Sequence, residues 1–129
     1  MAKITIIDDD VESTEILSEV LKDKGYTVST MDCTEGAVKN LKQDKPDLLI
    51  LDVMFPENPA GGFDLAREIR KTREIENLPV ILLTAINQEF PMDFSTSDID
   101  RDWIPVQDFI EKPVDMSILL KKVNSLLKR

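Results

Sequence analysis

Histidine is absent from this sequence, and cysteine occurs once, at Cys33. The first absence removes His-based triads, histidine general bases and histidine metal ligands from the chain's own chemistry. The second removes any intrachain disulfide. Glycine is scarce, with four residues, and neither a Gly-rich phosphate loop after the first apolar run nor a Walker-type loop elsewhere is present. Nucleotide-type and flavin-type phosphate cradles are thereby set aside. Basic residues are outnumbered: 16 Lys and Arg against 25 Asp and Glu leave a net charge of −9. Nucleic-acid phosphates repel such a chain unless basic side chains gather in a patch. The densest basic stretches, Lys121-Lys122 and Lys128-Arg129, fall in a C-terminal segment of helical spacing, where they read as a solvated face and a last helical turn. Direct DNA or RNA binding is not expected. No apolar run approaches the ~20 residues of a membrane-spanning helix. The start, Met1-Ala2-Lys3, leads into a short apolar stretch without the layout of a signal peptide. No membrane role and a cytoplasmic location are the expectations.

What is present fits a single folded domain over residues 1–129. The chain is 42% hydrophobic and 32% charged over 129 residues, enough to bury one core and too apolar to stay disordered. Short apolar runs alternate with amphipathic stretches. The runs are Ile4-Thr5-Ile6-Ile7, Thr27-Val28-Ser29-Thr30, Leu48-Leu49-Ile50-Leu51, Val80-Ile81-Leu82-Leu83 and Phe109-Ile110. The third and fourth are continuously apolar and the first is so apart from Thr5, as central parallel strands covered on both faces are. The second and fifth read as edge strands. Between them, helical spacing predicts helices carrying Val11, Ile16, Leu17, Val20 and Leu21; Ala37, Val38 and Leu41; Leu65, Ala66 and Ile69; and Met116 through Leu127. Strand-helix alternation of this rhythm predicts an α/β fold: a doubly wound, five-stranded parallel sheet with helices on both faces. Residues 86–107, with Pro91 and Pro105 among many Asp and Ser, break the rhythm. An irregular, extended region is expected there, with at most a short helix near Ser97 to Trp103.

Polar residues fall immediately after the strands. Asp8, Asp9 and Asp10 follow the first, Asp52 the third, Thr84 the fourth and Lys112 the fifth. In an open parallel sheet these carboxyl ends share one edge, where doubly wound folds bind ligands. Carboxylates of Asp8, Asp9 and Asp52 gathered there repel one another unless a cation sits among them, and a hard divalent ion such as Mg²⁺ suits oxygen ligands. With the charge neutralised, one carboxylate can attack phosphorus to give an aspartyl phosphate. Thr84 and the Lys112 ammonium are then placed to bind phosphoryl oxygens. Each position also has an ordinary structural reading. The Asp8-Asp9-Asp10 run can be a helix cap, Asp52 a turn residue, Thr84 a strand residue and Lys112 a solvated lysine. Those readings leave unexplained why all fall on one edge.

The chain resembles the receiver domain of two-component response regulators over essentially its whole length. The likeness is carried by Ile6-Ile7-Asp8-Asp9-Asp10, Leu49-Ile50-Leu51-Asp52-Val53-Met54 with Pro56, Leu82-Leu83-Thr84-Ala85 and Phe109-Ile110-Glu111-Lys112-Pro113. The resemblance implies a flavodoxin-like strand order 2-1-3-4-5 and transfer of a phosphoryl group to Asp52 from a partner histidine kinase, a phosphotransfer protein or a small phosphodonor. It further implies Mg²⁺, with Mn²⁺ as a substitute, held by Asp9, Asp52 and the backbone carbonyl of Met54 and supported by Asp8. Thr84 and Lys112 read the phosphoryl group. Thr84 and Phe109 act as switch residues on a face made by the helix after the fourth strand, the fifth strand and the last helix. Phe109 equally reads as a plain core aromatic. Such a domain is not an enzyme beyond its own phosphorylation and dephosphorylation, and it signals to a downstream protein by contact or phosphorelay. No output domain is expected within the chain.

Two departures from the family pattern stand out. The segment Phe55-Pro56-Glu57-Asn58-Pro59-Ala60-Gly61-Gly62 makes a longer loop than usual, and the 28 positions from Thr84 to Lys112 are also more than usual. Two other functions compete. A degenerate receiver would bind partners without phosphorylation, against which stand the intact acidic set, Thr84 and Lys112. A phosphohydrolase of the haloacid dehalogenase type would need Thr or Val where Glu12 stands, or a second Asp where Met54 stands.

Overall fold

In the computed structural model, the structure describes residues 2–53, 55, 61–84, 106, 108–112 and 114–127. Five strands are present among them: β1 (Lys3–Ile7), β2 (Thr27–Met31), β3 (Leu48–Asp52), β4 (Val80–Thr84) and β5 (Asp108–Glu111). All neighbours pair in parallel, in the order β2-β1-β3-β4-β5. This is the expected doubly wound sheet, with the two less apolar runs at its edges. Four α-helices are described: α1 (Val11–Asp23), α2 (Ala37–Asp44), α3 (Gly61–Arg70) and α4 (Met116–Leu127), with a 3₁₀ turn at Arg73–Ile75. No helix among the described residues is long and apolar enough to cross a membrane.

Strand alternation divides the core into two layers. Ile4, Ile6, Leu48, Ile50, Ile81 and Leu83 face Leu17 and Leu21 of α1 and Leu119 and Val123 of α4. Ile7, Leu49, Leu51, Val80 and Leu82 face Ala37 and Leu41 of α2 and Leu65, Ala66 and Ile69 of α3. Every residue of β3 and β4 is buried, which explains their unbroken apolar text.

Local signals bound the helices. Asp10 caps α1, its carboxylate accepting from the Ser13 N–H at 3.3 Å and from the Ser13 hydroxyl at 2.9 Å. Gly25, at φ +95, turns the chain out of that helix. Asp115 caps α4 by accepting from the N–H groups of Ser117 and Ile118 at 2.9 and 3.3 Å. Between α3 and β4, the Arg70 guanidinium donates to the carbonyls of Glu76 and Leu78 at 3.2 and 2.7 Å and holds that connection.

One boundary differs from the sequence reading. Gly61 and Gly62 are the first residues of α3, where a loop through Gly62 was expected. A glycine pair favours turns by local preference alone, but here close packing against β3 requires the missing side chain, as developed below. The irregular region expected over 86–107, with its short helix near Ser97 to Trp103, lies outside the described residues apart from Val106, which is buried in the α2/α3 layer.

Candidate phosphoryl-transfer site

The carboxyl ends of β1, β3, β4 and β5 bring Asp8, Asp52, Thr84 and Lys112 to one edge, as the strand-end spacing predicts. Carboxylate oxygens of Asp8, Asp9 and Asp52 lie within 4.8 Å of one another. Asp8 and Asp52 are 1% and 5% exposed, whereas Asp9 faces solvent. The acidic run divides its labour. Asp10 caps α1, while Asp8 turns inward and accepts the Asp10 N–H on Oδ1 at 2.9 Å. The helix-cap reading of that run thus applies to Asp10, while Asp8 joins the carboxylate cluster.

Lys112 supplies the positive charge. Its Nζ is 3.1 Å from Asp52 Oδ1 and 3.5 Å from Asp8 Oδ2. Its backbone is fixed by the N–H donating to the Thr84 carbonyl at 2.8 Å, so the lysine and the end of β4 are positioned together. Thr84 is fully buried. Asp52 Oδ1 also accepts the Val53 N–H at 3.0 Å, which limits the carboxylate's rotation. Phe109 is half-buried and packs against the α2/α3 layer. Met54, whose carbonyl completes the expected metal set, lies outside the described residues.

The electrostatics follow from this crowding. Burial, and then repulsion from Asp8, push the Asp52 carboxyl up from an ordinary 3.8 to about 7, against the opposing pull of Lys112. Burial alone would lower the Lys112 ammonium, but the attraction of Asp52 and Asp8 outweighs it and raises the group. One ammonium therefore leaves the three carboxylates short of charge compensation. A donor set made only of carboxylate oxygens suits a hard divalent cation such as Mg²⁺. Asp8, Asp9 and Asp52 fit that ion.

Two groups on the site's margins escaped the sequence reading. The Val53 N–H was invisible because it is backbone. Gly62, whose N–H donates to the Val53 carbonyl at 2.8 Å, left only the Gly61-Gly62 pair as a signal.

Comparison with known proteins bears on the family and the fold. The family model of the response regulator receiver domain matches residues 4–124. The chain is 32% identical to protein PilH of Pseudomonas aeruginosa, covering 98% of both chains. It is also 32% identical to the transcriptional regulatory protein AfsQ1 of Streptomyces coelicolor, but spans only 52% of that protein's length. Among solved structures, a response regulator from Chloroflexus aurantiacus superposes with a TM-score of 0.82 at 28% identity, covering 99% of this chain and 98% of that one.

Proposed function

The chain belongs to the response regulator receiver family of two-component signalling, and from that premise we propose that it is a phosphoacceptor whose acceptor is Asp52. Receiver domains are signalling modules that interact with histidine kinases and downstream effectors. The observation that carries the finer reading is the Asp52 carboxylate: buried at the end of a central strand, within 4.8 Å of two other carboxylates, and 3.1 Å from the Lys112 ammonium.

A carboxylate oxygen of Asp52 attacks the phosphorus of a phosphohistidine or a small acyl phosphate. The new oxygen–phosphorus bond forms as the donor's phosphorus–nitrogen or phosphorus–oxygen bond breaks, and the electron pair leaves with the imidazole or carboxylate. The donor imidazole must come from a partner, because this chain has no histidine. Asp8, Asp9 and Asp52 would hold Mg²⁺, with the Met54 carbonyl as the further ligand the family resemblance implies, and the ion would neutralise charge on the phosphoryl oxygens. Lys112 exchanges its contact with Asp52 for one with a phosphoryl oxygen, and the Thr84 hydroxyl binds another. The Val53 N–H orients the acceptor carboxylate. A groove of about 170 Å³ between Ile16 and Leu17 of α1 and Val114 and Met116 reaches Asp8 and Lys112, with Ile16 exposed at its rim. It gives a protein donor an apolar foothold beside the acceptor. Thr84 and Phe109 are the proposed switch, which passes the change at Asp52 to a partner through protein contact in the cytoplasm.

The test is intact-protein mass after incubation with acetyl phosphate and Mg²⁺, beside Asp52→Asn and a metal-free control. Gain of one phosphoryl group that requires both Mg²⁺ and Asp52 is expected. A folded, Mg²⁺-binding wild type that gains nothing overturns the reading in favour of a phosphorylation-independent receiver.

A further inference from the structure

We infer that Gly62 is a positioning residue for the acceptor aspartate; this rests on Asp52 being the acceptor. A Cβ at position 62 would stand 2.6 Å from Val53 Cα and 3.0 Å from the Asp52 carbonyl carbon, and closer still to the Asp52 carbonyl oxygen. All three atoms are backbone, so no side chain can swing aside to make room. The first turn of α3 therefore rests directly on the Asp52–Val53 peptide.

That peptide cannot retreat freely. Asp52 lies in register with Leu83 of β4, and the Val53 N–H bonds to the Leu83 carbonyl at 3.1 Å. The same N–H reaches Asp52 Oδ1 at 3.0 Å, and the Val53 carbonyl accepts the Gly62 N–H at 2.8 Å. The peptide is thus held by β4 at its N–H and pressed by α3 at its carbonyl, while the bond from Gly62 to the Val53 carbonyl fixes α3 against the peptide that follows. The amide it presents is the one that sets the acceptor carboxylate. Nor can α3 back away at no cost, because Leu65, Ala66 and Ile69 are buried beneath it. A side chain at 62 transfers the strain to the Asp52–Val53 peptide, tilting its N–H and rotating the carboxylate away from Lys112 and the reacting phosphorus. Displacements of about 1 Å in such an arrangement cost up to roughly 100-fold in rate.

The test compares wild type, Gly62→Ala and Ala66→Gly. The last loosens the same helix one turn on, through lost packing and helix propensity, without touching the peptide. Melting curves and phosphorylation by acetyl phosphate at saturating Mg²⁺ are read for each, with the saturating rate separated from the donor concentration that gives half of it. Gly62→Ala is expected to melt cooperatively and to lose roughly 10- to 100-fold in the saturating rate, with the half-rate donor concentration little changed. Ala66→Gly is expected to keep close to the wild-type rate while melting at a temperature similar to that of Gly62→Ala. A folded Gly62→Ala that matches wild type, or that slows only as much as Ala66→Gly, overturns the inference. So does a Gly62→Ala chain that shows no cooperative melt even with sucrose to favour the compact state, since the glycine is then needed for folding alone. A wild type that takes no phosphoryl group overturns the acceptor assignment instead, which keeps the two failures apart.

Discussion

Lys112 Nζ stands 3.1 Å from Asp52 Oδ1, and the same lysine's N–H is bonded to the Thr84 carbonyl at 2.8 Å. The ammonium beside the Asp52 carboxylate is thereby tied through its own backbone to the end of the strand between them. Thr84 and Lys112 are thus linked through the backbone, and three consequences of the site's charge, with one of packing away from it, can be measured.

The first concerns pH without metal. In the folded chain Asp52 is raised from 3.8 to about 7, by burial first and Asp8 second. Between those values the folded state holds a proton that the unfolded state has released. Raising the pH through this window therefore removes stability. Urea midpoints in chelator should fall from pH 5 to pH 8, and Asp52→Asn should show a shallower fall. A wild-type midpoint that rises over the same range would contradict the assignment.

Removing the lysine should accentuate that slope. In Lys112→Ala the two buried carboxylates lose their nearby cation, a loss of roughly 1–3 kcal/mol by the usual cost of breaking a charged hydrogen bond. The penalty should be larger at pH 8, where Asp52 is ionised, than at pH 5.5, where its proton already relieves the repulsion. Equal losses at both pH values would show that the ammonium is not what balances Asp52.

Magnesium should stabilise the folded chain in proportion to its binding. At 100 times its dissociation constant the ion adds about 2.7 kcal/mol, visible as a rise in melting temperature that increases from pH 6 to pH 8 as Asp52 loses its proton. Asp9→Asn is the informative variant, since Asp9 is exposed and its loss leaves the core intact. Its melting curve in chelator should match wild type while its response to Mg²⁺ shrinks.

The last prediction lies away from the site. Thr5 is fully buried in β1, and its hydroxyl has no hydrogen-bond partner. Strand alternation places it on the face of Ile7 and Leu49. Thr5→Val replaces an unsatisfied oxygen with a methyl group of similar size and should raise stability by about 1 kcal/mol. A lowered urea midpoint would show that the hydroxyl has a partner after all.

Much of this architecture is legible residue by residue. The continuous apolar text of Leu48 to Leu51 and Val80 to Leu83 announces strands buried on both faces, because a strand's burial is a local property written at period two. The three- and four-residue spacing of Met116 through Leu127 announces α4 for the corresponding reason at period 3.6. The gathering of Asp8, Asp52, Thr84 and Lys112 was legible because each ends or directly follows a strand, and parallel topology sends every strand end to one edge. The expectations attached to Met54 and to residues 86–107 concern positions outside those the structure describes, Val106 excepted.

Other features belong to the tertiary structure alone. The different fates of Asp10, which caps α1, and Asp8, which turns inward, depend on tertiary structure, since the approach of β3 and β5 gives Asp8 its remote partners Asp52 and Lys112. The elevation of Asp52 to about 7 sums burial with the charges of Asp8 after β1 and Lys112 after β5. Gly62 reads as loop in the sequence, and becomes a contact only when α3 lies against the Asp52–Val53 peptide. Periodicity and strand-end placement are encoded by near neighbours in the chain. Distances of a few ångströms between groups remote in sequence are set by register and helix packing, and in this protein those distances decide how the Asp52 carboxylate is charged and aimed.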